Sequence, residues 1–557
     1  MIDIKNRKIC PYSIKKHQTQ KKNLWWLGLL AFLSAIWLIL RTGKKPTRIV
    51  YPCQQAAVQN INMFHLALIA SLSPAVLSLR RSSNLIKPMF ILSTFFVGSI
   101  ILMNNPLNIS FNFFPINRTP VHLNLSPQNA LVSDPSDLFF VQNASREKGN
   151  MDLAVSSLIE LMETQELYFF KNASHTSGLI GSNDVVILKV NGQWPYNGGT
   201  NTDLVKSVIK AILSHPDGFT GELVITDNGQ GQGSMNYAQT NSYYRDQSNL
   251  EVAGMFSSYS VSAFLWDTLR SRTVDEFNDG DFRNGYVRNS TWNSDTNIYV
   301  SYPKFTTEYG THISFKRGVW DNTTGFDSDR LKVINIPVLK SHFIYGVTGC
   351  IKHYMGVPQG YIAPSVHPTI PHEHFSIAQG GMATLMVETR APILNILDMI
   401  WVNANPLESS SMRGPYGNYD YTTYTDIIGA SQDPVALDYW ASKNILIPVA
   451  MLSYDTYSSL DPDYEPLSPQ YTGSGQMEES FHNYLRRSKD ILNEAGLQAT
   501  MNQTEMNVFI TGLEALKESD ENILDPLVFG LVIILPISTG VIITIIVLIK
   551  RKKKQNR

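Results

Sequence analysis

Lys340 and His342 close the run Lys332-Val-Ile-Asn-Ile-Pro-Val-Leu-Lys-Ser-His342, and Lys352 follows in Gly346-Val-Thr-Gly-Cys-Ile-Lys-His-Tyr-Met-Gly356. Ammonium groups neutralise an anion and an imidazole exchanges a proton near neutral pH, so this trio suits a small negatively charged ligand. Three carboxylates join it from elsewhere in the chain. Asp227 ends an apolar run, Asp398 sits inside another, and Asp438 lies a turn or more inside a helix start. A carboxylate in apolar surroundings is costly unless paired, which makes each one a partner for a lysine or a site residue in its own right. In this reading Lys340, Lys352 and Lys189 hold negative charge, and His342 serves as acid or base. Asp227, Asp398 or Asp438 orients the histidine or binds a cation, with Asp438 the expected partner of Lys340 or Lys352.

The elements that must carry these groups read as an α/β domain. Residues 332–339 are short, apolar and β-branched, and predict a buried strand that stops near Leu339 and leaves Lys340, Ser341 and His342 in a connection. A helix is expected next, capped by Thr348 and ended by Gly356 and Pro358. Residues 184–190, 202–214 and 222–226 predict strand, crossover helix and parallel strand. Further strands are expected over 393–402 and 425–430, and Asp433-Pro434 is a cap followed by a favoured first helical residue. The alternating segments 297–302 and 311–316 predict an antiparallel hairpin inside a β-rich insertion at 275–330, where Trp292, Tyr302 and Trp320 are candidates to stack on a ring. Ligands of open α/β sheets bind beyond the carboxyl ends of the strands, beside helix N-termini. Lys189 with the exit loop 192–200, and Asp227-Asn-Gly-Gln-Gly-Gln-Gly233, both fall at such ends.

Other chemistries are narrower. The glycines of that second loop do not follow Gly-x-Gly-x-x-Gly and no apolar helix starts directly after them, so the loop is expected to present Asp227 and Asn228, or to let a ligand approach the backbone, and carries no nucleotide motif. His367-Pro-Thr-Ile-Pro-His-Glu-His374 is the densest set of metal-binding side chains: His367, His372 and His374 suit a divalent metal, although the prolines exclude a regular helix. Cys10, Cys53 and Cys350 are far apart, so no iron–sulfur or zinc site is indicated. With 43% apolar residues the chain can bury a large core, and a net charge of -1 provides no field for bulk nucleic-acid binding.

Three separated motifs in order, Lys189-Val-Asn191, Asn335-Ile-Pro-Val-Leu-Lys-Ser-His342 and Asp433-Pro-Val-Ala-Leu-Asp438, resemble the family known as domain of unknown function 362. The resemblance covers roughly the middle and C-terminal half of the chain. It implies a fold and no settled activity, and through its motifs Asn191 and Asn335 enter the candidate ligand-binding set. Some relatives carry a ferredoxin-like cluster domain whose cysteines are absent here, which argues against electron transfer.

At the ends, a basic segment (1–22) precedes three apolar stretches, 23–40, 61–79 and 88–103, and a fourth, 526–549, stops at the basic tail 550–557. Each reads as a transmembrane helix, and the basic flanks place both ends in the cytoplasm, although Arg41, Lys44, Lys45 and Arg48 would then lie outside it. A linker and peripheral helix (104–180) would lead to an extracytoplasmic domain at 181–520. The expected fold class is thus α/β, with a mixed, mainly parallel sheet, flanking helices, a β-hairpin insertion and transmembrane helices at both ends. The expected partners are a lipid bilayer and a small anionic ligand, with no nucleic acid. Three functions fit: an enzyme acting on a small anionic or phosphorylated envelope-associated substrate, a non-catalytic ligand-binding receptor, or a structural protein whose polar set satisfies a buried network.

Overall fold

In chain order the first strands are β1 (Ser136–Gln142), β2 (Val185–Val190), β3 (Glu222–Asp227) and β4 (Val261–Leu265). Five short strands follow: β5 (Gly285–Arg288), β6 (Ser301–Thr306), β7 (His312–Ser314), β8 (Gly318–Asp321) and β9 (Gly325–Asp327). The remainder are β10 (Leu331–Ile336), β11 (Val338–His342), β12 (Gly346–Thr348), β13 (Leu394–Asn403), β14 (Thr422–Ser431) and β15 (Met506–Gly512). The helices used below are α1 (Asp152–Glu163), α2 (Thr202–Leu213), α3 (Asn249–Gly254), α4 (Cys350–His353), α5 (Glu373–Ala378), α6 (Gly381–Glu388), α7 (Pro434–Ala441), α8 (Ile447–Ala450) and α9 (Phe481–Glu494). This computed structural model describes residues 120–513 except 196–197, 239–241, 244–246, 297, 343–344, 361–372, 407–421 and 466–479. They belong to a unit spanning Thr119–Glu521; a second unit, Met1–Arg118 with Asn522–Arg557, lies outside the described residues.

Ten strands form the main sheet in the order β15-β1-β14-β13-β10-β2-β3-β4, with β11 paired to β13 and β12 paired to β11. β2 is buried along its whole length: β10 and β3 pair in parallel with its two edges, and a parallel sheet carries crossover helices on both faces, so its apolar run shows no alternation. Parallel pairing continues to β4 and from β10 to β13, whereas β14 runs antiparallel between β13 and β1. The sheet is mixed and mainly parallel. β1 and β15 extend it from the region read as a linker and from the far end of the domain; four consecutive apolar residues, Leu138, Phe139, Phe140 and Val141, are too short a run to separate strand from helix by period.

α2 follows β2 with Asn201 at its cap, the side chain accepting the N–H of Asp203 at 2.9 Å, and it buries Leu204, Val205, Val208, Ile209 and Ile212. α1 and α3 pack beside it. A second set, α4, α6, α7 and α9, packs together elsewhere. β2 connects toward β3 while β10 connects toward β13, in opposite directions, so right-handed crossovers put the two helix sets on opposite faces. Where one hairpin was expected, β5 to β9 form a five-stranded antiparallel sheet. Its aromatics pack internally: Trp320 stacks on Phe277 at 5.5 Å, and the buried Tyr302 hydroxyl donates to Glu276 at 2.9 Å, while Trp292 stays partly exposed.

The expected fold class is corrected in one respect. No helix among the described residues is long and apolar enough to cross a membrane, and α9, with 14 residues, falls short of the roughly 20 that a bilayer requires. The α/β sheet stands without the transmembrane helices expected at both ends; the stretches 23–40, 61–79, 88–103 and 526–549 lie outside the described residues.

Candidate functional site

β2 and β10 are neighbours whose onward connections leave in opposite directions, which makes the space beyond their carboxyl ends the switch point of the sheet. One register row crosses the sheet there. Ser431 of β14, Asn395 of β13, Asn335 of β10, Lys189 of β2 and Thr226 of β3 are successive partners and project to one face. All five are buried. Five polar side chains in the middle of an apolar sheet are expensive unless bonded, so the row demands an account of each partner.

Lys189 donates to Asp227 at 2.9 Å, and the other carboxylate oxygen accepts the N–H of Gly192 at the same distance. Burial pulls the lysine down and the aspartate up toward their neutral forms, while each charge opposes the shift of the other. Gly356 closes over this pair: a Cβ there would stand 2.6 Å from the lysine Nζ and would also overlap the aspartate. Asn228 ties the same segment down, with its N–H on the Gly356 carbonyl at 3.0 Å and its side chain on the Tyr286 hydroxyl and the Pro358 carbonyl at 2.8 and 2.5 Å.

Asn395 donates to the Ser431 carbonyl at 3.2 Å and accepts from the Asn335 amide at 2.9 Å. That amide also donates to the Cys350 carbonyl at 3.2 Å, so the Asn335 oxygen is left to face His353 Nδ1 at 2.7 Å. His353 is buried on α4, and its Nε2 has no hydrogen-bond partner among the described residues. Burial first, then the charges of Lys189 and Lys340, hold the ring well below the usual histidine range; the Val190 carbonyl favours the proton but is outweighed.

The structure changes the setting of several expected residues. The strand does not stop near Leu339: Pro337 only breaks it, and β11 continues along β13, so Lys340 and His342 are strand residues. Lys340 is buried and reaches the β2 exit loop, donating to the Gly198 carbonyl at 3.1 Å, whereas His342 is half-buried opposite Gly346 at the end of the β11–β12 hairpin. The helix expected after Thr348 is short, because Gly346–Thr348 is strand and Gly349 precedes α4. Lys352 is buried on α4. Asp438, expected to pair with Lys340 or Lys352, has two oxygens that accept the N–H groups of Cys350 and Ile351 at 2.6 and 3.0 Å, capping α4 from outside. Burial pushes its carboxyl up to about 7. Asp398 accepts the N–H groups of Asn201 at 2.8 Å and Ile400 at 3.1 Å, so it anchors the start of α2. Asn191 bonds within the exit loop, its N–H to the Thr200 hydroxyl at 2.8 Å.

The glycine-rich loop after β3 spends its amides on the protein itself. Gly229 N–H donates to Asp267 at 2.6 Å and Gly231 N–H to the other oxygen of the same carboxylate, with Arg270 4.0 Å away. Gly231 has φ 84°, a conformation glycine takes without strain. Among the described residues no cluster of histidine, cysteine, aspartate or glutamate could hold a metal. His367 and His372 lie outside the described residues, as does the side chain of His374 on α5. Four residues at the site escaped sequence reasoning: His353, Asn395, Asn201 and Asp267. For His353 the signal was present, a Lys-His pair interrupting Cys-Ile and Tyr-Met; the asparagines look like any strand or turn residue until the register is known.

The Lys189–Asp227 pair, the Asn395–Asn335–His353 chain and Lys340 thus converge at the switch point, while Asp398 and Asp438 serve helix starts. No curated protein and no solved structure matches the chain. Residues 327–443, which carry β10, β11, α4, β13, β14 and all of α7, match the model of the family described as Domain of unknown function (DUF362), and this match supports assigning that part of the chain to the DUF362 family.

Proposed function

We propose that the protein binds a small anionic molecule beyond the carboxyl ends of β2 and β10, and that Lys189 and Lys340 supply the positive charge. The observation that carries the reading is the polar row: Asn395, Asn335 and Lys189 are buried side by side at the switch point, beneath a histidine that feels both lysines. Lys189 shares its charge with Asp227, and Lys340 adds a second buried ammonium at the β2 exit loop, where it donates to the Gly198 carbonyl. An oxyanion would lower the cost of keeping these cations out of water. Enzymatic conversion of the anion remains the leading use of such a site, with a non-catalytic receptor as its rival.

A structural reading also has an observation in its favour. Asp398, Asp433 and Asp438 all satisfy backbone N–H groups at helix starts, as a purely architectural polar network would. Lys340→Met separates the two. With the full chain, native mass spectrometry after addition of inorganic phosphate reads the bound anion and far-ultraviolet circular dichroism reads the fold. Loss of the anion from a folded variant supports the site; a folded variant that retains it overturns the assignment, and a variant that fails only by unfolding supports the architectural reading.

A further inference from the structure

His353 has a definite proton position, which follows from the chain of amides beneath it. The Cys350 and Ser431 carbonyls only accept, so Asn335 and Asn395 must turn their NH2 groups toward them. The Asn335 oxygen then faces Nδ1 at 2.7 Å and accepts its hydrogen. In the neutral ring the Nδ1 proton leaves Nε2 as a bare lone pair, buried and without a donor among the described residues, since the Val190 carbonyl that favours a proton on the ring can only accept. A buried acceptor of this kind calls for a donor, and the ammonium groups whose charges reach the ring are engaged elsewhere, with Asp227 and Gly198 among their acceptors.

We infer that the anion this site selects carries a hydroxyl on its charged group, as inorganic phosphate does at neutral pH, and that this hydroxyl donates to His353 Nε2 while the remaining oxygens face Lys189 and Lys340. The inference rests on the anion-site reading above and adds a selectivity to it. A fully deprotonated oxyanion of the same size would bring a lone pair against a lone pair. Burial and two neighbouring cations keep the ring neutral, so His353 reads the hydroxyl as an acceptor and is a specificity-determining residue, with no proton transfer required.

Inorganic phosphate and inorganic sulfate make the test, since both are tetrahedral anions and at neutral pH only phosphate retains a hydroxyl. Isothermal titration of the full chain at constant ionic strength should show phosphate binding at least about tenfold more tightly than sulfate, the worth of one buried hydrogen bond. His353→Phe should erase that preference. Equal affinities in the unaltered protein overturn the role of His353 while leaving the anion site standing, whatever the variant does. Binding of neither ion overturns the anion site and the inference together.

Discussion

Replacing Lys189 by methionine isolates the interaction at the centre of the site. Its side chain is 0% exposed and that of Asp227 is 3% exposed, so no water can replace the ammonium at 2.9 Å. With Lys189→Met the carboxylate keeps only the Gly192 N–H as a described donor, and stranding a buried charge in this way costs ~3–5 kcal/mol. Lys189→Met with Asp227→Asn removes both charges, and the double variant should recover all but ~1–2 kcal/mol of that loss, because no ion remains to be desolvated. Urea unfolding of the full chain, followed by far-ultraviolet circular dichroism at pH 7, measures each corner of the cycle. The double variant, folded but without the lysine, should also bind phosphate more weakly than the unaltered protein. A single substitution that costs less than ~1 kcal/mol, or a double variant no more stable than Lys189→Met, would refute the view that this pair is dry and mutually dependent.

Asp438 provides a pH signature. Its carboxyl is raised from 3.8 to about 7 by burial, so between those values the folded protein holds a proton that the unfolded chain has lost. Stability present below pH 3.8 is therefore lost as pH rises through about 7, a change of ~4 kcal/mol at ~1.4 kcal/mol per unit. Asp438→Asn should flatten that slope between pH 5 and 8 in unfolding experiments; an unchanged slope would show that the carboxylate is ionised throughout. Gly356→Ala places a methyl 2.6 Å from the Lys189 Nζ and should cost ~1–3 kcal/mol and weaken phosphate binding. A variant as stable and as tightly binding as the unaltered protein would mean that this segment can lift off the ion pair.

Sequence periodicity and punctuation determined much of the α/β core. The apolar stretch at β2, the amphipathic α2 and the strand at β3 are local facts, since a strand covered on both faces and a helix with one apolar side write themselves into consecutive residues. Asp433 and Pro434 are likewise legible, because a cap is decided by its own neighbours: the carboxylate accepts the N–H groups of Val435 and Ala436 at 2.8 and 2.9 Å. Lys189 and Asp227 were visible as charged residues closing apolar runs.

Tertiary structure alone decided which of these groups meet. Asn335, Lys189 and Asn395 lie far apart in the chain and share a row only because parallel strands pair in that register. The role of Asp438 in holding the open N–H groups of α4 depends on how α7 packs, which residue order does not show. The same holds for His353 over His342: burial, two nearby cations and an oriented amide chain act on the former, and none of these can be read from residue order. Local patterns encode elements because they depend on neighbours in sequence, whereas a site depends on through-space distance and desolvation, which exist only after the sheet has closed its register.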